Sequence, residues 1–312
     1  MRAAVIGTHW GRVHVAALRQ AGVEVAALAA RDATEASAAA QDLDVPVATR
    51  DLTSLSELDL DLITVATPAA THLSVIRQLP DVPVLCEKPA VGLAPPAPLP
   101  ASRTQPVFVN YAFAFLDVAQ RARAAVAGLG TVLEASVSSA YDLPDLGLPA
   151  AAMWFELVPH PWSWLVTLLG APAAAEPGSD PPGVLADAVD LTIGARCGDV
   201  PLRLTAAPSP GLHGIRHRVL LRGSLGRLEL TGRFRVGEPW RFDAPRISRA
   251  DGTLRLLGKA EAGHGDPWYR ANARAIAAVV AAVRGEAPSP LLFSWERALA
   301  LDLAARPGLL GA

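Results

Sequence analysis

Arg2-Ala3-Ala4-Val5-Ile6-Gly7-Thr8-His9-Trp10-Gly11-Arg12 is the stretch on which the fold of this chain turns. Residues 2–6 have strand character and run straight into Gly7, and apolar positions at Val13, Ala16, Ala17 and Leu18 then recur at helical spacing. The unit predicted is strand, tight turn, helix. Val23 to Leu28 forms a second apolar run, and beyond Arg31 and Asp32 an alanine-rich helical stretch reaches about Asp42. Shorter apolar runs follow at 62–66, 82–85 and 107–109, each ending in residues with functional groups. Strands alternating with helices predict an α/β domain built on a parallel, doubly wound sheet. Prolines at 95, 96, 98 and 100 remove backbone donors and clash with preceding carbonyls, so Ala94–Pro100 is read as an extended connection.

After about residue 115 the pattern changes. A helix near 117–127 precedes runs with β character at 131–141, 188–196, 201–206, 217–222 and 226–231, which predict a mainly antiparallel sheet. Helical stretches from Trp268 to Val283 and from Ser294 to Ala305 close the chain, separated by the Gly-Glu-Ala-Pro-Ser-Pro break at 285–290. At 312 residues two domains are expected, drawn here as 1–115 and 116–312.

Composition narrows the function classes. The net charge is −2 and no run of Lys and Arg is concentrated in sequence, which disfavours nucleic-acid binding. Charge or proline interrupts every apolar stretch before about 18 residues, and the first 30 residues do not resemble a signal peptide, so a cytoplasmic protein is expected. Cys86 and Cys197 cannot form a disulfide framework and are read as buried thiols. The histidines show no paired metal-ligand spacing, and no metal is expected. Of 28 basic residues only Lys88 and Lys259 are lysine. A position that keeps lysine where arginine is the default invites a chemical explanation, because arginine does not readily exchange a proton.

The turn Gly7-Thr8-His9-Trp10-Gly11-Arg12 stands where a dinucleotide fold places its phosphate loop, with backbone N–H groups and a helix N-terminus available to a pyrophosphate. The glycine pattern is broken. His9 occupies the place of the second glycine, where it either obstructs close backbone approach or itself contacts phosphate; an ordinary strand-to-helix turn is the competing reading. At the end of the second strand, where an acidic residue would bind the ribose 2′-OH, Ala30 is followed by Arg31. That favours NADP(H) over NAD(H), with a solvated surface arginine as the alternative.

The most specific segments are Cys86-Glu87-Lys88-Pro89 at a strand end and, one βα unit earlier, Ala66-Thr67-Pro68-Ala69-Ala70-Thr71-His72. With them the chain resembles the glucose–fructose oxidoreductase, inositol dehydrogenase and MocA (Gfo/Idh/MocA) oxidoreductase family. The resemblance continues through Asn110-Tyr111, through Glu156-Leu157-Val158-Pro159-His160 ahead of an apolar helix, and through the glycine turn at 222–230, and so covers nearly the whole chain. It implies a Rossmann domain followed by an α/β domain with a large open sheet, through which family members often pair as homodimers or higher homo-oligomers. Gly7, Thr8, His9, Trp10, Gly11, Arg12, Ala30, Arg31, Thr67, Pro68, His72, Glu87, Lys88 and Asn110 then form the cofactor site. Lys88 matches the family lysine that holds the reacting oxygen, His160 the family acid/base, and Glu156 stands in for an aspartate lining the substrate site.

Those residue types suit the chemistry independently. Hydride transfer to a carbonyl leaves negative charge on oxygen, which an ammonium stabilises while a histidine delivers the proton near neutral pH. A surface lysine and a satisfied core histidine are the bland alternatives. His72 is expected to shape the loop near nicotinamide, and His14 to pack or cap on the first helix without a role. Trp154, Phe155, Trp162 and Trp164 are expected around the cleft, unusually aromatic for a sugar pocket, while Ser163 replaces a second family aspartate. The function expected is a carbonyl or alcohol oxidoreductase acting on a sugar, nucleotide sugar or cyclitol. Two alternatives stand beside it. The loop Gly7–Gly11 is also similar to the short loop of thiazolinyl imine reductases, which reduce C=N bonds and commonly lack the Glu-Lys-Pro lysine; and the broken glycine motif would suit a binding protein that senses a dinucleotide without turnover.

Overall fold

The computed structural model describes residues 1–143, 147–174, 191–261 and 265–306. The chain divides into two compact units, Met1–Tyr111 with Asn272–Leu299, and Ala112–Ala271 with Ala300–Ala312. The boundary drawn at 115 therefore falls near a crossing of the chain, but residues 272–299 return to the first unit. A side-chain contact and a strand pairing account for that return: Asn110 Nδ2 donates to Asn272 Oδ1 at 2.8 Å, and Phe293 pairs with Val109.

In the first unit, β1 (Arg2–Ile6), β2 (Glu24–Ala29), β3 (Val47–Thr49), β4 (Leu62–Val65), β5 (Val84–Glu87) and β6 (Val107–Asn110) are parallel and lie in the order 3-2-1-4-5-6. This is the dinucleotide-fold order, whose crevice opens where the strand order reverses, between β1 and β4. Strands β4, β5 and β6 are buried at every position, as strands covered on both faces require. Helix α1 (Gly11–Gln20) buries His14, Val15, Ala17 and Leu18. Asp32 caps α2 (Ala33–Asp42) by accepting from the Glu35 N–H at 2.9 Å, and the short α3 (His72–Ile76) follows β4. As the prolines dictate, 95–100 is irregular.

The second unit opens with α4 (Asp117–Ala125) and β7 (Val132–Tyr141), then α5 (Ala150–Leu157) and α6 (Pro159–Leu169). Its sheet is completed by β8 (Pro172–Ala174), β9 (Leu191–Cys197), β10 (Val200–Pro208), β11 (Gly214–Gly223), β12 (Gly226–Arg235), β13 (Arg241–Phe242), β14 (Arg246–Arg249) and β15 (Leu254–Leu256). The strand order is 15-14-12-11-7-10-9-8, with β13 on β12; β7 and β10 are parallel and the other pairs antiparallel. Residues 188–190 of the strand expected at 188–196 lie outside the described residues. Helix α7 (Pro267–Val283), a two-residue strand β16 (Phe293–Ser294) antiparallel to β6, and α8 (Trp295–Ala304) end the described chain.

Strand alternation gives this second sheet two unlike faces. One buries Val137, Leu202, Leu204, Ile193, Val219, Leu221, Leu228 and Leu230. The other gathers Arg196, Arg203, Arg216, Arg218, Arg222, Arg227, Arg233, Arg235, Arg241 and Arg246, which the register sets side by side with Glu134 and Glu229. Glu229 accepts from Arg218 at 3.0 and 3.2 Å and from Arg246 at 3.3 Å, and Glu134 pairs with Arg222 at 2.8 Å. Burial opposes ionisation of Glu229, but these guanidiniums outweigh it and hold its carboxyl below the usual range.

The tryptophans expected at a cleft are core instead. Trp154, Trp162 and Trp164 have no exposed surface and Phe155 has 3%. Both α5 and α6 are apolar nearly all round, the signature of buried rather than half-solvated helices. Trp162 Nε1 donates to Cys197 Sγ at 3.2 Å, and burial pushes that thiol up to about 11. Cys86 and Cys197 are both buried thiols, as expected.

Candidate active site

Gly7 leaves β1 with φ +109°, and a Cβ built on it would lie 2.4 Å from the Ala66 carbonyl oxygen at the end of β4. Only glycine fits where the backbones of the two crevice strands come this close. The loop continues through Thr8, whose hydroxyl bonds the Glu35 carboxylate, and exposed His9, to Trp10 and Gly11. Arg12 forms an ion pair with Asp42 on α2. Helix α1 starts without a side-chain cap and without an acidic residue in its first turn, which leaves its N-terminus suited to an anion. Ala30 is half-buried, and exposed Arg31 forms no ion pair among the described residues.

At the other side of the crevice, the end of β5 carries Glu87, 7% exposed. Its Oε1 accepts from Asn110 Nδ2 at 2.6 Å and Trp10 Nε1 at 3.2 Å and lies 2.8 Å from His14 Nε2; Oε2 accepts from the Lys88 N–H at 3.3 Å. Burial would raise this carboxyl, but His14, Asn110 and the Lys88 ammonium prevail and hold it below the carboxylate range. Half-buried Lys88 follows, joined to Pro89 by a cis peptide. Asn110 is 3% exposed and its Oδ1 has no hydrogen-bond partner among the described residues, a buried acceptor left open beside Glu87.

His72 links two loops here. Fully buried at the start of α3, it lies 2.7 Å from the Thr67 carbonyl through Nε2 and 3.0 Å from the Pro89 carbonyl through Nδ1, tying the Thr67-Pro68 loop to the Glu-Lys-Pro loop. Burial lowers its imidazole against the pull of both carbonyls. His14, expected to pack or cap on the first helix, is wholly buried there and also bonds a carboxylate 73 residues away. Its phase was the available signal, a polar side chain on the buried stripe of α1 directly after the loop.

In the second unit, Glu156 and His160 lie four residues apart across the α5–α6 junction. Val158 between them keeps helical angles (φ −71°, ψ −39°), so both project to one side. Glu156 is exposed and His160 half-buried. Buried Ser163 turns its hydroxyl back to the His160 carbonyl at 2.7 Å and offers nothing outward. The rings next to His160 were missed in the sequence. Trp268 meets it edge-on at 4.6 Å and stacks with Trp240 at 5.4 Å, which stacks on His217 at 5.5 Å. Among the described residues, no group of three His, Cys, Asp or Glu side chains is placed to hold a metal, and no helix is long and apolar enough to cross a membrane.

Residues 1–94 match the Gfo/Idh/MocA oxidoreductase family, described as having an NAD-binding Rossmann fold. The match covers this part of the chain. A domain of that description has a dinucleotide fold, and the crevice between β1 and β4 is where such a fold holds its cofactor. No curated protein matches the sequence. Solved structures extend the likeness to the whole chain. A levoglucosan dehydrogenase in complex with NADH and levoglucosan is 14% identical, with 100% of this chain and 97% of that one covered and a TM-score of 0.74. UDP-N-acetylglucosamine 3-dehydrogenase from Acidithiobacillus ferrooxidans is 18% identical, covering 98% and 95%, with a TM-score of 0.71. An oxidoreductase from Agrobacterium radiobacter in complex with NAD+, L-tartaric acid and magnesium is 13% identical, covering 98% and 94%, with a TM-score of 0.67. At these identities the likeness establishes the fold of both units.

Proposed function

We propose that this protein is an NAD(P)-dependent oxidoreductase that moves a hydride between nicotinamide and the carbonyl or alcohol carbon of a sugar, nucleotide sugar or cyclitol. The observation that carries the reading is Lys88 at the end of β5, following a buried carboxylate that also anchors the phosphate-loop residue Trp10. The named substrates of the levoglucosan and UDP-N-acetylglucosamine dehydrogenases support the substrate class.

The residues present suit the cofactor. Gly7, Thr8, His9, Trp10, Gly11 and Arg12 would hold its pyrophosphate, with Thr67, Pro68, His72, Glu87, Lys88 and Asn110 at the nicotinamide end, where the open Oδ1 of Asn110 can accept from a carboxamide. Ala30 and unpaired Arg31 favour NADP(H), since a small residue leaves room for the 2′-phosphate and the guanidinium binds it. When bound, the cofactor supplies or accepts the hydride. The Lys88 ammonium steadies the reacting oxygen, His160 gives or takes its proton, and exposed Glu156 accepts hydrogen bonds from substrate hydroxyls. Lys88 favours carbonyl chemistry over C=N reduction, for which the short Gly7–Gly11 loop is the supporting feature, and over a sensor without turnover. From the family resemblance we infer a cytoplasmic homo-oligomer.

Titration with NADPH and NADH, followed by nicotinamide fluorescence, tests the cofactor site; tighter NADH binding would overturn the role given to Arg31. With a substrate in hand, Lys88→Met and His160→Asn should each lower kcat by about 10² to 10⁴. A Lys88→Met enzyme within twofold of the wild type would end the catalytic assignment.

A further inference from the structure

We propose that His14 is a positioning residue: by pinning the Glu87 carboxylate against Trp10 and Asn110, it ties the phosphate loop and the Lys88 segment into one unit that binds the dinucleotide. The inference rests on the proposed cofactor site and adds a residue outside both signature segments.

His14 occupies the buried stripe of α1 with Val15, Ala17 and Leu18, where an apolar side chain would pack with no polar group to satisfy. Instead its Nε2 meets Glu87 Oε1 at 2.8 Å, and its Nδ1 is buried without a partner among the described residues. A half-satisfied imidazole is a poor choice for stability alone. Its place is explained by Glu87, a carboxylate wedged at the end of β5 among residues from four other segments. Trp10 comes from the phosphate loop, His14 from α1, Asn110 from β6, and Asn272 of α7 is linked through Asn110. Oε2 accepts the N–H of Lys88, so the carboxylate that α1 holds also fixes the backbone from which the ammonium projects. The charged or titratable groups facing Glu87 are His14 on α1, His72 on α3 and Lys88 beside it; Trp10 and Asn110 are neutral donors.

Removing His14 takes away the largest influence opposing burial at Glu87. The carboxyl then takes up a proton in a pH range where the wild type keeps it ionised, and a protonated Glu87 loses its hold on its donors. The full-length protein and its His14→Leu and His14→Gln variants are titrated with NADPH and NADH between pH 5.5 and 8, and lysine acylation by an N-hydroxysuccinimide ester is followed by mass spectrometry. Lys259 is the only other lysine and serves as the internal reference. The wild type should bind with nearly constant affinity over this range. His14→Leu should bind about 10-fold more weakly at pH 8, as loss of a hydrogen bond to a charged group predicts, and weaken further on acidification. Its ratio of Lys88 to Lys259 acylation should also shift. His14→Gln, which keeps a donor, should recover most of the affinity. Should His14→Leu fail to fold, His14→Met is read in its place. Wild-type affinity, a flat pH profile and an unchanged acylation ratio in the apolar variant would overturn the proposal. Failure of the cofactor reading looks different, since the wild type itself would then bind neither nucleotide.

Discussion

Replacing Gly7 by alanine tests the geometry of the crevice most directly. The added Cβ would stand 2.4 Å from the Ala66 oxygen and 2.8 Å from its carbon, and both are backbone atoms of the segment leaving β4, so no side chain can swing aside. Relief to an ordinary contact means parting β1 from β4, whose residues are buried there. A backbone at φ +109° adds its own strain for any residue with a Cβ. Strain of this kind costs about 1–3 kcal/mol, and forced overpacking about 1–3 kcal/mol more. The sum of roughly 2–6 kcal/mol corresponds to a fall of about 5–20 °C in the first unfolding transition. Gly22→Ala is the control, because Gly22 has φ +71° with nothing within 4 Å of the added atom. It carries backbone strain alone, about 1–2 kcal/mol. The assay is thermal unfolding of the three proteins by circular dichroism, with NADPH binding in parallel. If Gly7→Ala melts no lower than Gly22→Ala, the close approach of the two strand ends is not what demands glycine.

Three further outcomes are expected. Trp162→Ala should destabilise the second unit by about 3–5 kcal/mol, as truncation of a buried aromatic does, whereas Trp162→Phe should cost much less; equal losses would mean that packing is not the cause. Because burial lowers the His72 imidazole, the unfolded chain takes up that proton first as pH falls. The contribution is therefore complete above about pH 6.5 and lost on acidification below it, and His72→Asn should flatten the dependence of Tm on pH between 7 and 5.5; an unchanged slope would exclude His72 as its source. Neither cysteine should react with a thiol reagent at pH 8 until the protein is unfolded, because both are buried and Cys197 is pushed up to about 11; a thiol modified at once in the native protein would contradict the burial.

Local signals carried most of the first unit. Strands β1, β4, β5 and β6 are largely apolar runs, which end at or next to the candidate site residues Gly7, Thr67, Lys88 and Asn110. Strand β3 escaped because Val47–Thr49 is three residues long and largely exposed, without a buried face to write a pattern. Two kinds of error came from partners distant in sequence. The tryptophans of α5 and α6 look like cleft residues until β9 covers them, as Cys197 does Trp162. His14 looks like packing until Glu87 arrives from β5. The return of residues 272–299 to the first unit is equally non-local, depending on Asn110 and β6. In contrast, the Glu156–His160 spacing was legible because helical geometry alone sets it.

No two of the ten arginines on this face of the second sheet are adjacent in sequence, and they form one basic surface only when the register of β9 to β14 sets them side by side. A column matrix responds to local field rather than to the formal sum of −2. At neutral pH and low salt the protein should be retained by a sulfonate cation exchanger, from which a chain of that net charge with evenly mixed surface charge would flow through. Elution should come at several tenths molar salt, as the Debye length contracts from about 10 Å at 0.1 M toward the roughly 5 Å spacing between neighbouring strands.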